Sequence, residues 1–145
     1  MIVILYEYVT GKGRDSMHTN KMLSEKFYDV LKDEGIVTII TWGKGEPHIV
    51  NEWNSYLVIT EDERILIPAG LMHKTEENIN INNKIKMALG SKNVVGFDNY
   101  QGTGFVVEGT ARFFDSGFEY EMMKDKFSFL TRVLEIIVTS AKQML

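Results

Sequence analysis

Lys74 and Thr75 stand where an apolar run ending in Gly70 hands over to a polar segment, and these residue types at such a junction suit a phosphate group. Backbone N–H groups at a helix start lack intrahelical partners, the helix dipole favours an anion, and a lysine adds a full charge. A plainer reading is also open, in which Thr75 caps the helix and Lys74 is merely solvated. Glu76 and Glu77 already complement the dipole, so the local pattern alone favours the plainer reading. The second constellation is HIVNEWNSY, His48–Tyr56. Asn51, Trp53, Asn54 and Ser55 place hydrogen-bonding groups beside a large ring, as the edge and face of a bound planar heterocycle would require. The competing reading is an outward-facing polar strand with Trp53 in the core, and the residues unaided favour it. Glu34, at the end of a helical stretch, would tune local charge near a ligand; by pattern alone it is a surface carboxylate.

No other arrangement suggests chemistry. There is no Ser-His-Asp set, no Gly-rich Walker loop and no carboxylate pair recognisable from spacing. The chain has no cysteine and three histidines, His18, His48 and His73, without ligand spacing. Thiol chemistry is excluded, and no metal site is expected. No catalytic residue is assigned, and chemistry carried by a bound cofactor fits this pattern.

The elements that must position these residues follow from periodicity. Ser24 caps a helix whose apolar face is Phe27, Val30 and Leu31, ending at Gly35. Strands are expected over Ile36–Trp42, His48–Tyr56, Arg64–Ala69, Ile85–Leu89, Gly102–Phe114 and Val133–Ser140, with Leu57–Thr60 extending the second or forming its own. Gly90 ends the fifth of these runs and Ser91–Tyr100 reads as loop. A short helix is expected over Lys74–Asn83 and an amphipathic one over Phe118–Phe129, with Phe118, Met122 and Phe129 on its apolar side. Gly104 and Gly109 inside a strand mark bends or bulges. Ile2–Val9 reads as a further strand. Tight turns and little βαβ alternation predict a mainly β, antiparallel barrel with peripheral helices.

The chain of 145 residues suits one domain. A net charge of −4 argues against a nucleic-acid partner, which needs a basic face. No apolar run is long enough for a membrane span, and the start lacks an export signal, so a cytoplasmic location is expected.

Several motifs in order resemble the pyridoxamine-phosphate-oxidase-like FMN-binding split barrels, and within them the short dimeric FMN-binding proteins. They are LKDEGIV at Leu31–Val37, PHIVNEWNSYL at Pro47–Leu57, PAGLMHKTEEN at Pro68–Asn78, LGS at Leu89–Ser91, GTGFVVEGTA at Gly102–Ala111 and VTSAKQML at Val138–Leu145. The resemblance implies a six-stranded antiparallel split β-barrel over residues 22–145, with 1–21 as an extension and possible edge strand. It further implies a homodimer with FMN at the subunit interface. Lys74 and Thr75 would hold the phosphate. Asn51, Glu52, Trp53 and the backbone of Pro68, Ala69, Gly70 and Leu71 would lie along the isoalloxazine, with Glu34 near it. Phe129 and Leu145 would approach from the partner chain. Three positions depart from the family pattern: Phe129 replaces a tryptophan, Glu52 a threonine and Leu71 a glycine.

The function so implied is a redox carrier passing electrons through noncovalently bound FMN, with another redox protein as partner. The alternatives are an FMN-dependent oxidoreductase acting on a small molecule, and a split-barrel binding module that is cofactor-free or takes haem.

Overall fold

The computed structural model describes residues 21–145, and the strand expected at Ile2–Val9 lies outside them. In chain order the elements are α1 (Glu25–Lys32), β1 (Ile36–Thr41), β2 (His48–Trp53), a 3-10 turn (Asn54–Tyr56), β3 (Val58–Ile59) and β4 (Arg64–Ala69). There follow α2 (His73–Ile81), β5 (Lys84–Val95), a second 3-10 turn (Phe97–Asn99), β6 (Gln101–Phe114), α3 (Phe118–Lys126) and β7 (Arg132–Gln143). All pairings are antiparallel, and the strands form one curled sheet, a half-barrel in the order β2-β1-β5-β6-β7-β4-β3. The sheet therefore has seven strands among the described residues, where six were expected. The added one is β3, whose two residues pair with Ile65 and Leu66 after the 3-10 turn breaks the run from β2.

The local expectations hold where periodicity is strong. Ser24 accepts the Phe27 N–H at 3.2 Å, and Phe27, Val30 and Leu31 are buried. The main core runs from these residues to alternate positions of β1, β4, β5, β6 and β7. A smaller cluster beneath α3 gathers Met123, Phe127, Leu130, Val133, Leu66 and Val58.

Several boundaries differ: β2 stops at Trp53, α2 spans His73–Ile81 and β7 runs on to Gln143, and two further shifts have visible physical reasons. β5 does not stop at Gly90 but runs on to Val95. Gly90 lies opposite Gly104, and a Cβ on either would stand 3.0 Å from a carbonyl oxygen across the ladder, so these glycines permit a close approach. The expectation for Gly109 holds, since the β6–β7 register slips between Glu108 and Gly109. α3 ends at Lys126, three residues before Phe129, and Phe118 is exposed. Lys124 turns back to the Ser128 and Leu130 carbonyls at 2.9 and 2.6 Å and fixes the tight exit.

Candidate cofactor site

The start of α2 carries no side-chain cap. Its cap position is Met72, not Thr75, so the expectation of a Thr cap is overturned. Met72 adopts φ 72°, ψ 31°, left-handed backbone that costs an L-residue roughly 1–2 kcal/mol, and its buried side chain secures it. The Glu76 N–H bonds to the Met72 carbonyl at 3.0 Å, leaving the preceding N–H groups of the first turn without intrahelical acceptors. Thr75 is fully buried, and its Oγ1 has no hydrogen-bond partner. A buried hydroxyl left so costs about 1–3 kcal/mol. Lys74 is exposed and rests on Glu77 at 3.4 Å, a weak surface pair that leaves the ammonium free to turn toward a ligand.

The approach to this corner is built from distant segments. Ala69 pairs with Arg132 across β4 and β7. The Thr131 hydroxyl donates toward the Ala69 and Gly70 carbonyls at 3.2 and 3.4 Å. Arg132 donates to the Leu71 carbonyl at 2.9 Å and to Glu76 Oε1 at 3.0 Å, with its guanidinium 5.1 Å from the Phe113 ring centroid. Sequence reasoning missed Thr131 and Arg132. They follow an irregular turn and carry no motif, and only the β4–β7 register brings them to the corner. Pro68 and Ala69 are buried, whereas Leu71 is exposed.

Gly70 is closely approached by its neighbour. A Cβ there would stand 3.3 Å from Phe129 Cδ2 and 3.4 Å from the Phe129 carbonyl oxygen. Phe129 thus lies against Gly70 of its own chain, and its half-exposed ring continues to Tyr56, 5.6 Å between centroids.

β2 connects this corner to a second polar region. At its start, His48 shares with Lys74, Glu77 and Asn78 a cleft of about 500 Å³ also lined by Lys44 and Pro47. Along the strand, Asn51 and Trp53 face outward and are exposed, against the expectation unaided pattern gave for Trp53 as core. Asn51 Oδ1 accepts from the Thr38 hydroxyl at 2.9 Å. Glu52 faces the side of buried Val37. Burial pushes its carboxyl above the ordinary range, and no described residue pairs with it.

Past β2 the polar groups are tied together. Asn54 is buried and donates to the Asp33 carbonyl at 2.6 Å, so it fastens β2 to the end of α1 instead of lining a ligand edge. Glu34 accepts from the Ser55 hydroxyl at 2.6 Å and the Ser55 N–H at 3.1 Å. The Ser55 hydroxyl holds this carboxyl below its usual range. The Leu145 main-chain oxygen accepts from the Thr103 hydroxyl at 2.8 Å, beside Gly96.

A third charged cluster is saturated. Buried Glu135 meets Arg64 at 2.5 Å and Arg112 at 2.6 Å, and Arg64 also holds Glu119 at 2.6 Å. Burial pushes the Glu135 carboxyl up, but the two guanidiniums outweigh it and hold the group below its ordinary range. Its partners fix β4, β6, β7 and α3 together, with no free valence for a ligand. Among the described residues no group of His, Asp and Glu is disposed to hold a metal ion, and no helix is long and apolar enough to cross a membrane.

Residues 23–144 match the family model described as pyridoxamine 5'-phosphate oxidase. The chain is 45% identical over 124 residues to a protein of Nitratidesulfovibrio vulgaris (strain Miyazaki F) named FMN-binding protein, covering 86% of this chain and 100% of that one. Among solved structures, HupZ of Group A Streptococcus superposes with a TM-score of 0.70 at 20% identity, over 85% of this chain and 94% of that one. An FMN-binding protein of Syntrophomonas wolfei gives 0.66 at 16% identity, over 85% and 86%. At these identities the two structures speak for the fold alone.

Proposed function

Because this chain belongs to the pyridoxamine 5'-phosphate oxidase family, we propose that it binds FMN noncovalently and serves as an electron carrier. The observation that carries the reading is the uncapped first turn of α2 with the unpartnered Thr75 hydroxyl buried in it. A phosphate dianion supplies the acceptors that these donors lack, and Lys74 supplies the countercharge. The name of the 45% identical relative points to the same ligand.

From that anchor, β2 offers a wall about 17 Å long, at a strand rise of ~3.3 Å per residue, ending at Trp53. Asn51, Glu52 and Trp53 lie along it, and the Pro68–Leu71 backbone and Phe129 bound the other side. FMN supplies one- and two-electron chemistry when bound. The residues here hold its phosphate, present an aromatic surface and set the local charge. Glu34 is the ionised group of this region, and a negative charge near the ring disfavours its reduced anionic form. Ser55 is committed to Glu34 and the Asn54 amide to the Asp33 carbonyl, which suits a carrier that positions a ring without trading protons with a substrate.

We place the partner subunit on the outer face of β1 and β2, where Ile36, Ile49 and Trp53 are exposed together. Leu145 of a partner would then reach the ring. A second reading, an FMN-dependent oxidoreductase, draws on Glu52, whose unpartnered half-buried carboxyl suits proton transfer. Mixing reduced protein with small organic acceptors separates the two: reoxidation only by redox proteins and oxygen supports the carrier. The primary test is a titration of purified protein with FMN. One FMN per chain with flavin absorbance is expected; a colourless protein that acquires no flavin overturns the proposal.

A further inference from the structure

The anion corner carries a built-in competitor. Glu76 sits in the first turn of α2, and helix side chains tilt toward the N-terminus, so its carboxylate is directed back at the very N–H groups that are free. An acidic side chain there is normally attracted to the dipole and folds over the open turn. In this chain it does not. Arg132, only 13% exposed, donates from Nε to Glu76 Oε1 at 3.0 Å. It is itself held by Nη1 on the Thr131 hydroxyl at 2.9 Å, by Nη2 on the Leu71 carbonyl at 2.9 Å and by stacking on Phe113. A planar guanidinium makes these bonds at once in a fixed orientation, which a lysine could not do.

We infer that Arg132 is a positioning residue that keeps the start of α2 open for a phosphate by withholding and neutralising the Glu76 carboxylate. The inference rests on the FMN reading above. Without Arg132, a bound phosphate would face an unpaired carboxylate within one helical turn, and the free turn could be occupied by the protein's own anion. The same contact with Leu71 steadies the left-handed link at Met72, but the charge effect is the part that a second substitution can restore.

The test compares FMN and riboflavin dissociation constants, read by flavin fluorescence, for the wild type, Arg132→Gln, Glu76→Gln and the double variant. Charges at a helix N-terminus change affinity by between about 5- and 30-fold in partly buried settings. Arg132→Gln should lose that factor for FMN while leaving riboflavin within about twofold. Adding Glu76→Gln should restore most of the loss. An unchanged FMN preference in Arg132→Gln, an equal loss for both ligands, or a loss that Glu76→Gln does not repair would each overturn the role of Arg132. If Arg132→Gln does not fold, Arg132→Lys and Arg132→Lys/Glu76→Gln take its place: the lysine variant should lose FMN preference in part and regain it with Glu76→Gln, and absence of either change refutes the inference. A wild-type protein that shows no preference for FMN over riboflavin would instead refute the phosphate assignment itself.

Discussion

The two polar regions of this molecule treat their hydrogen-bonding groups in opposite ways. Around Glu34, Asn54 and Ser55 nearly every group is engaged inside the chain; only Asn54 Oδ1 stays open. Around Lys74 and Thr75 the Thr75 hydroxyl and the first-turn N–H groups lack partners, the backbone is strained at Met72, and Arg132 bonds to Glu76 of the same turn. Both regions look alike as strings of polar residues. What separates them is context: the open Asn54 Oδ1 belongs to a side chain already bonded across segments, whereas the open Thr75 hydroxyl lies in an uncapped first turn.

Substitutions can break this contrast. Lys74→Ala should weaken FMN by about 1.5–3 kcal/mol, roughly 10- to 150-fold, with little effect on riboflavin; equal losses for both would move the phosphate elsewhere. Asn54→Ala belongs to the staple, so it should lower apoprotein stability in urea by about 1–3 kcal/mol and leave the FMN-to-riboflavin ratio untouched. Thr75→Val should show inverse signs: FMN weakened by about 1 kcal/mol, while the apoprotein becomes no less stable because an unpartnered hydroxyl is gone. A destabilised apoprotein would show that the hydroxyl already has a partner.

Smaller effects sharpen the picture along β2. Burial raises the Glu52 pKa, so the folded state is penalised once this carboxyl ionises. Its penalty accrues as pH rises from the ordinary value of 4.5 through the raised one. Glu52→Gln should therefore raise Tm at neutral pH, with the gain fading as pH falls and gone below 4.5; a gain that persists in acid would point to packing instead. The smallest expected change is an upward shift in the FMN midpoint potential for Glu34→Gln, measured by spectroelectrochemistry. Since Ser55 holds the Glu34 carboxyl below 4.5, that shift should not vary across neutral pH. An unchanged or lowered potential removes Glu34 from the ring's surroundings.

How much of this was legible in the sequence depended on range. Helix α1, its Ser24 cap and the main strands are written in local periodicity and held. Lys74 and Thr75 stood out as a candidate pair, yet the pattern alone favoured a Thr cap, which the structure does not form, because whether a hydroxyl finds a partner is not a local property. The count of six was exceeded at β3, where local pattern left open whether Leu57–Thr60 extends the second strand or forms its own, and a 3-10 turn makes it separate. Gly90 was misread as a terminus because its meaning lies in Gly104 across the ladder. Arg132 and Glu76 are 56 positions apart, and nothing near either announces the other.

The pairing of Ala69 with Arg132 has a consequence for biosynthesis. The corner is laid down by one stretch and completed by another that leaves the ribosome more than 50 residues later. A growing polypeptide holds no finished receptacle for most of its translation. If FMN is anchored at this corner as proposed, loading belongs to the end of manufacture, and a nascent chain stalled before Arg132 would emerge without the ligand.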